Sequence, residues 1–589
     1  MVGDPAPRKR ACHAEANPEP RRRAGVVFIG LTLLFSLIVF RLYDLQIAGH
    51  ENYSGVRDRQ SRGVLELRRP RGLIVDARGE ALAVSLPVSS VAVEPARVVD
   101  AAATATRLAS ALGMDAADVR TLLSPTRKNS EGEEIRIGFS WIRRHVSPAQ
   151  AEAVKKLALP GVLLKTEYDR VYPQGKLLAH VLGVVDIDDQ GGEGLERSLD
   201  GVLKGAGGPH PGEPFRAGID VDGKRRTLSW PELPSAGADV HLTIDAAFQR
   251  VVEQALDAAC ERHSPGWAVA IAMDPRTGAI LALANRPNFD PTRPVPPGAD
   301  AQAAARARQN LAVVAPYEPG STWKPFAVAA ALEEKLLTPA TVFDCEMGAW
   351  RCGARVLHDH HPYGKLAVRD IIAKSSNIGA AKIGILLGPE RLWKGADAFG
   401  FGRKTGSDLP LEDRGMLHPL AKWNSFSVTS VPMGHEISVT PLQLVAAMSA
   451  IANGGQLVRP YAVDRIVAAD GTLLRRTEPK VVGRAASEAT CAELRKMLRE
   501  VVKTGTGTKA EVEGLEIAGK TGTTQKVDPA SGRYTHGKYI SSFVGFAPAE
   551  GARICIAVIL DDPQGEYYGG AVAAPVVAEI LEKGMKFVR

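Results

Sequence analysis

Tyr317-Glu318-Pro319-Gly320-Ser321-Thr322-Trp323-Lys324-Pro325-Phe326 is the stretch on which the reading of this chain turns. A Pro-Gly pair closes one segment, and an apolar, Ala-rich run from Phe326 to Leu336 follows. The pattern predicts a turn that delivers Ser321 to the first turn of a helix. Residues three apart share a helix face, so Lys324 falls on the same side as Ser321. Serine is a weak nucleophile until a neighbour takes its proton, and a lysine can do so if burial or a second cation lowers its pKa. The helix N-terminus adds backbone N–H groups suited to a developing oxyanion. A plain helix cap followed by a surface lysine has the same spacing, so these residues alone do not decide.

Two later stretches weigh in: Ala373-Lys374-Ser375-Ser376-Asn377 and Ala518-Gly519-Lys520-Thr521-Gly522-Thr523-Thr524. S-x-x-K, S-S-N and K-T-G in that order match the set used by class A β-lactamases and penicillin-binding proteins, with Ser376 where S-D-N has its Asp. On these motifs the chain resembles a penicillin-binding protein.

At 589 residues the chain is too long for one ordinary domain, and 45% apolar content is globular. A net charge of +7 without a basic, aromatic-interleaved stripe argues against nucleic acid as a partner. The cysteines show no C-x-x-C pattern, which argues against zinc or thioredoxin-like chemistry.

Residues 1–23 are rich in Pro, Ala and Arg and read as a disordered cytoplasmic tail. Ala24 to Phe40 then runs without a charge. As a helix it covers about 26 Å, enough to cross a hydrocarbon core if Arg41 snorkels. No small-x-small cleavage site follows, so 24–43 reads as an uncleaved single-pass anchor. Arg21, Arg22 and Arg23 place the N-terminus in the cytoplasm and the rest outside. Gln46 to Arg62 reads as a helical stalk. Residues 44–204 then carry a hairpin around Asp76, short helices and no acid–base pair, a structural or partner-binding module. Residues 205–238, dense in Gly and Pro, read as an inter-domain connection with strand-like fragments. From 239 to 589 the texture changes. Asp245 caps a helix, Asp274 to Gly278 turns a hairpin, Val368 to Leu387 reads as a helix containing Ser375, and Thr440-Pro441 starts another. With the late strand-like runs at 541–547 and 554–560, the fold class is α+β: an antiparallel sheet covered by helices.

The resemblance extends from the anchor nearly to the last residue, and it is to class B. Pro70-Arg71-Gly72 with Asp76, and Gly191 to Glu196, resemble the pedestal (dimerisation) domain of class B penicillin-binding proteins. Asp274 to Gly278, Glu318 to Lys324, Ser375 to Asn377, Ser438 to Pro441, Gly505 to Gly507 and Gly569 to Pro575 resemble its transpeptidase domain. No glycosyltransferase module fits before the pedestal and no repeats follow the last helix, which is similar to the septal FtsI/SpoVD type. Elongation or sporulation roles are the alternatives, with β-lactam hydrolysis, β-lactam sensing or a catalytically dead scaffold as more distant ones.

The resemblance implies a peptidoglycan D,D-transpeptidase without metal or cofactor, located at the cell membrane with its catalytic domain outside the cytoplasm. Ser321 attacks the penultimate D-Ala of a D-Ala-D-Ala stem, and Lys324 is the base. Lys520 lowers the pKa of Lys324 and relays protons through Ser375. Asn377 holds the substrate amide, backbone N–H groups of Ser321 and Thr523 form the oxyanion hole, and Thr521 and Thr523 face the terminal carboxylate. Gly519 and Gly522 leave room for an extended peptide. It also implies β-lactams as covalent inhibitors, and a polytopic glycan-polymerising glycosyltransferase and division-complex proteins as partners.

Two departures stand out. Gln309-Asn310-Leu311-Ala312 lacks the arginines of the family's R-N-R-A, which puts salt bridges of that segment in question, and His435 replaces an aromatic or small residue after Gly434. His358-Asp359-His360-His361 has the composition of a metal cluster but reads as a polar loop. Cys345 and Cys352 are candidates for a disulfide, while Cys260, Cys491 and Cys555 read as buried small apolar residues.

Overall fold

The computed structural model describes residues 19–44, 62–67, 69–130, 132–205, 215–222, 225–229, 236–528 and 531–588. Two compact units divide the chain, one from residues 1–67 and 214–233, the other from 68–213 and 234–589.

The first unit holds the helix Glu19–Tyr43, whose stretch Gly25–Tyr43 is long and apolar enough to cross a membrane. Its apolar side chains face outward; Phe28 is 72% exposed. Nothing in water would hold such a surface apart from other apolar matter. The same unit contains a three-stranded antiparallel sheet in which Arg62–Leu67 pairs with Phe215–Asp222, and that strand with Arg225–Ser229. The Gly- and Pro-dense connection thus contributes a hairpin. Of the expected stalk at 46–62, only Arg62 is among the described residues, and it opens a strand rather than continuing a helix.

The second unit is α+β. Its first sheet runs Leu473–Arg476, Val463–Val467, Asp239–Leu242, Ile74–Val75, Ala81–Val93 and Ser140–Val146, and Val162–Val171 also pairs with Ala81–Val93. All contacts are antiparallel except Asp239–Leu242 against Ile74–Val75. Two turns of the sequence meet beside this sheet. Asp76 accepts from Arg78 N, Glu80 N and, across the fold, Ala246 N at 2.9 Å, and Asp245 caps the helix Ala246–His263 as expected.

Arg71 and the 191–196 segment, far apart in sequence, meet in a dry network. Glu196 accepts from Arg71 Nη2 at 2.8 Å and from Arg170 Nε at 2.7 Å; Asp200 accepts from Arg71 Nη1 at 2.6 Å. The Arg71 and Glu196 side chains are fully buried. Glu196→Ala would leave two buried guanidinium groups short of a counter-charge, a loss of about 3–5 kcal/mol. Chemical denaturation of the purified chain checks this; an unchanged midpoint contradicts it.

The second sheet positions the candidate site. It is five-stranded and antiparallel, ordered Ile280–Arg286, Trp267–Met273, Ile554–Asp561, Tyr534–Ala547, Ala518–Val527. Successive side chains of a strand point to opposite faces. Ala268, Ala270 and Ala272 therefore pack with Ile556 and Val558 under the helices Ala246–His263 and Ala574–Gly584. Val269, Ile271 and Met273 pack on the other face, in the core that includes the helix Pro441–Ala452. That helix is buried on every side and opens with a Thr440/Gln443 capping box. Both faces are covered, which is why these strands read as continuous apolar runs.

Two local expectations are corrected. Val368 to Leu387 is not one helix. Val368–Lys374 ends at Ser375, which takes a left-handed conformation at φ 61°, and Asn377–Ala398 starts anew behind a Ser376 cap. Ser376 offers an oxygen to Gly379 N, a local bond that competes with continuing the first helix. Cys345 and Cys352 are free thiols: Cys345 is buried against Ser376, and Cys352 ends the strand Ala349–Cys352, paired with Arg355. Cys491 and Cys555 are buried, and Cys260 is half-buried.

Candidate active site

Gly320–Trp323 forms a 3-10 turn that runs into the α-helix Lys324–Glu333. Gly320 sits at φ 54°, and a Cβ there would come 3.0 Å from Thr524 Cβ, so both the turn and the neighbouring strand require glycine. Thr322 Oγ1 donates to Pro319 O at 2.8 Å. Trp323 is buried with its ring 4.2 Å from Phe401 and 5.3 Å from Phe326, centroid to centroid. The segment before the turn is tied to Ser438–Pro441 by paired backbone bonds between Tyr317 and Val439. Ser321, half-buried, is thus delivered by a turn fixed on both sides.

Three sequence-distant segments converge behind it. Lys324 Nζ donates to Ser375 O at 2.5 Å and to Asn377 Oδ1 at 2.8 Å, and lies 3.2 Å from Ser375 Oγ. Lys520 Nζ donates to Ser375 Oγ at 2.9 Å and to Thr521 O at 3.1 Å. One hydroxyl, Ser375, therefore lies between two fully buried lysine amines. Lys520 belongs to the strand Ala518–Val527, whose Gly522 presses against the serine turn. A Cβ on Gly522 would be 2.4 Å from Ser542 Oγ and 2.8 Å from Thr322 Cγ2. Thr521 Oγ1 shares a 2.6 Å hydrogen bond with Thr506 Oγ1, and Thr523 Oγ1 accepts from Gly569 N at 3.0 Å.

Burial pushes Lys324 down to about 7, against the upward pull of the Asp359 charge and Cys345. Lys520 is lowered well below the ordinary lysine value, first by burial and then by the charge of Lys324. Burial, rather than Lys520, is thus the main cause at Lys324. The site can keep an amine neutral near neutral pH beside the Ser375 hydroxyl, one turn from Ser321 in sequence, and a neutral amine is the requirement for a lysine general base.

The family model of the penicillin-binding protein transpeptidase domain matches residues 268–582, and that of the penicillin-binding protein dimerisation domain matches 67–242. The chain is 35% identical to stage V sporulation protein D of Bacillus subtilis over 575 residues, covering 94% of this chain and 84% of the relative. It is 31% identical to the peptidoglycan D,D-transpeptidase FtsI of Escherichia coli over 559 residues, covering 94% and 89%. This chain belongs to the class B penicillin-binding protein family. Among solved structures, penicillin-binding protein 3 of Mycobacterium tuberculosis complexed with aztreonam matches with TM-score 0.66 at 28% identity, covering 89% of this chain and 97% of that one. A peptidoglycan synthetase from Bifidobacterium adolescentis matches with TM-score 0.70 at 27% identity.

In this penicillin-binding protein, the departures found in the sequence have local answers. Arg308, just before the arginine-depleted Gln309–Ala312, makes a 2.9 Å ion pair with Glu193. Asn310 Oδ1 accepts from Asn285 at 3.2 Å. His435 Nδ1 lies 3.0 Å from Glu318 Oε2, and Tyr534 OH donates to the same carboxylate at 2.9 Å, tying the far end of the Tyr534–Ala547 strand to the segment before Ser321.

Sequence reading missed one participant. No group of His, Cys, Asp and Glu among the described residues is placed to hold a metal ion. Instead Asp359 accepts from Asn377 N and Ile378 N, and from Ser376 Oγ at 2.6 Å, while His358 O accepts from Asn377 Nδ2 at 3.0 Å. The strand Lys365–Ala367 and the helix Val368–Lys374 lie between Asp359 and the helix start it serves, so no local sequence signal marked it.

Proposed function

We propose that this chain cross-links peptidoglycan stem peptides through an acyl-enzyme on Ser321, and does so at the division septum. The observation that carries the chemistry is the Ser375 hydroxyl held between Lys324 and Lys520 at the end of the serine turn. A neutral lysine has two N–H donors and one lone pair. With its donors given to Ser375 O and Asn377 Oδ1, the Lys324 lone pair is left to accept a proton from a hydroxyl. In this reading Ser321 attacks the carbonyl of the penultimate D-Ala and its proton passes to Lys324. The oxyanion is held by backbone N–H groups of Ser321 and Thr523. Lys324, 3.2 Å from Ser375 Oγ, hands the Ser321 proton to Ser375 as Ser375, hydrogen-bonded also to Lys520, gives its own to the departing D-Ala nitrogen. Thr521 and Thr523 face the terminal carboxylate, Asn377 takes the substrate amide, and the peptide lies along Ala518–Val527 in the manner of an added strand. An amine of a neighbouring stem then resolves the ester.

In the same proposal, residues 24–43 anchor the chain with 1–23 in the cytoplasm; 44–204, 205–238 and 239–589 are pedestal, connection and transpeptidase domain outside it. Division-complex proteins, including a polytopic glycosyltransferase, are the partners. The relation to FtsI supports it. Incubation with a pentapeptide-bearing polymer should release D-Ala and yield penicillin-sensitive cross-links. Steady turnover of nitrocefin with no cross-linking would contradict the reaction. For the cellular role, depletion should give filaments with a fluorescent fusion at midcell; round cells would contradict the septal part.

A further inference from the structure

We propose that Asp359 is a positioning residue of this site: from a separate loop, its carboxylate holds Ser375-Ser376-Asn377 in place and supplies the negative charge that faces Lys324. The inference rests on the transpeptidase reading above.

The related S-D-N motif carries its carboxylate in the middle position. Here that position is Ser376, and the acid comes from elsewhere. Ser376 Oγ donates to Asp359 Oδ2 at 2.6 Å while accepting from Gly379 N at 2.9 Å. Asp359 Oδ1 takes the N–H of Asn377 at 2.5 Å and of Ile378 at 3.0 Å. These are first-turn donors of the helix that opens at Asn377 and breaks at Gly388, which have no partner within the helix and favour an anion. The clamp is itself fixed, because Asp359 N donates to Gly348 O at 3.1 Å.

Two consequences reach the reacting groups. Ser375 holds φ 61°, a region a serine occupies only where its surroundings impose it, and the residues directly after it are those that Asp359 grips. The bond from Asn377 Nδ2 to His358 O turns the amide so that its oxygen meets Lys324. The charged and titratable groups that face Lys324 are Asp359, Cys345 and Lys520. Of these Asp359 opposes the burial that depresses the lysine, so neutralising it lets Lys324 shed its proton at lower pH.

The test is the rate of acylation of the purified full chain by a fluorescent penicillin, followed across pH for wild type and Asp359→Asn. The expected result is a fall of about 10- to 100-fold on the plateau, as a small misplacement of reacting groups costs. The acid limb should also move to lower pH, and the melting temperature should stay near that of wild type. A wild-type rate, or a lower rate with the acid limb unmoved, overturns the proposal. Should Asp359→Asn not fold, Ser376→Ala replaces it: losing one tether while keeping the charge should slow acylation several-fold with the limb in place, and a wild-type rate overturns the proposal. If the wild-type chain itself takes no label, the transpeptidase reading has failed rather than this one.

Discussion

Ser321→Ala is expected to abolish covalent labelling by a fluorescent penicillin and to lower D-Ala release by about ten-thousand-fold or more, with the fold unchanged. A nucleophile has no substitute, because every later step acts on the ester it forms. The fold should survive because the turn is held by other groups: Thr322 on Pro319, Trp323 against Phe401, Tyr317 against Val439. Gel fluorescence and a thermal melt check both halves. Undiminished labelling would reassign the nucleophile, and a collapsed melt would show that Ser321 carries structure as well.

Lys324→Met is expected to slow acylation by about 10²- to 10⁴-fold and to remove its acid limb. In the wild type a base must be unprotonated to act, so with Lys324 near 7 the rate should rise with pH and reach half its plateau near pH 7. The sign for stability runs the same way. Lys324 is lowered from the ordinary 10.5 to about 7 in the folded state. Between those values the unfolded chain holds a proton that the folded chain has released, so stability from this group rises with pH across that window. Lys324→Met should flatten that part of the rise. Stopped-flow acylation and melts over the same pH range give both curves; an acid limb surviving in the variant would exclude Lys324 as its source.

Much of the site was legible because chemistry allows little variation there. A serine and a lysine three residues apart decide nothing alone, but followed in order by an S-x-N and a K-T-G they make a set that a random surface does not need. Cap signals were equally plain: Asp245 and Thr440-Pro441 each open a helix where the sequence places one. What failed was non-local. Ser375 was expected inside a helix, since apolar residues at helical spacing stand on both sides of Lys374 to Asn377. The left-handed break depends on Ser376 and on Asp359, which pattern alone cannot bring together. Strand pairing was hidden for the same reason. Nothing in 215–229 announces 62–67 as its partner, and nothing in 463–476 announces that these residues extend the sheet begun at Ile74. Asp359 stood in a string of histidines that suggested a metal, and only its contacts reveal what it holds.

The pedestal shows the same division. Arg71 and Glu196 were each singled out, but by resemblance and without a stated contact. The structure supplies the reason for them: a guanidinium and a carboxylate removed from water need each other.

The most direct measurement is peptide mapping by tandem mass spectrometry after the full chain has reacted with penicillin. The account predicts one acyl adduct, on Ser321, within the peptide that also contains Lys324. An adduct on any other residue, or none despite an intact fold, would contradict it.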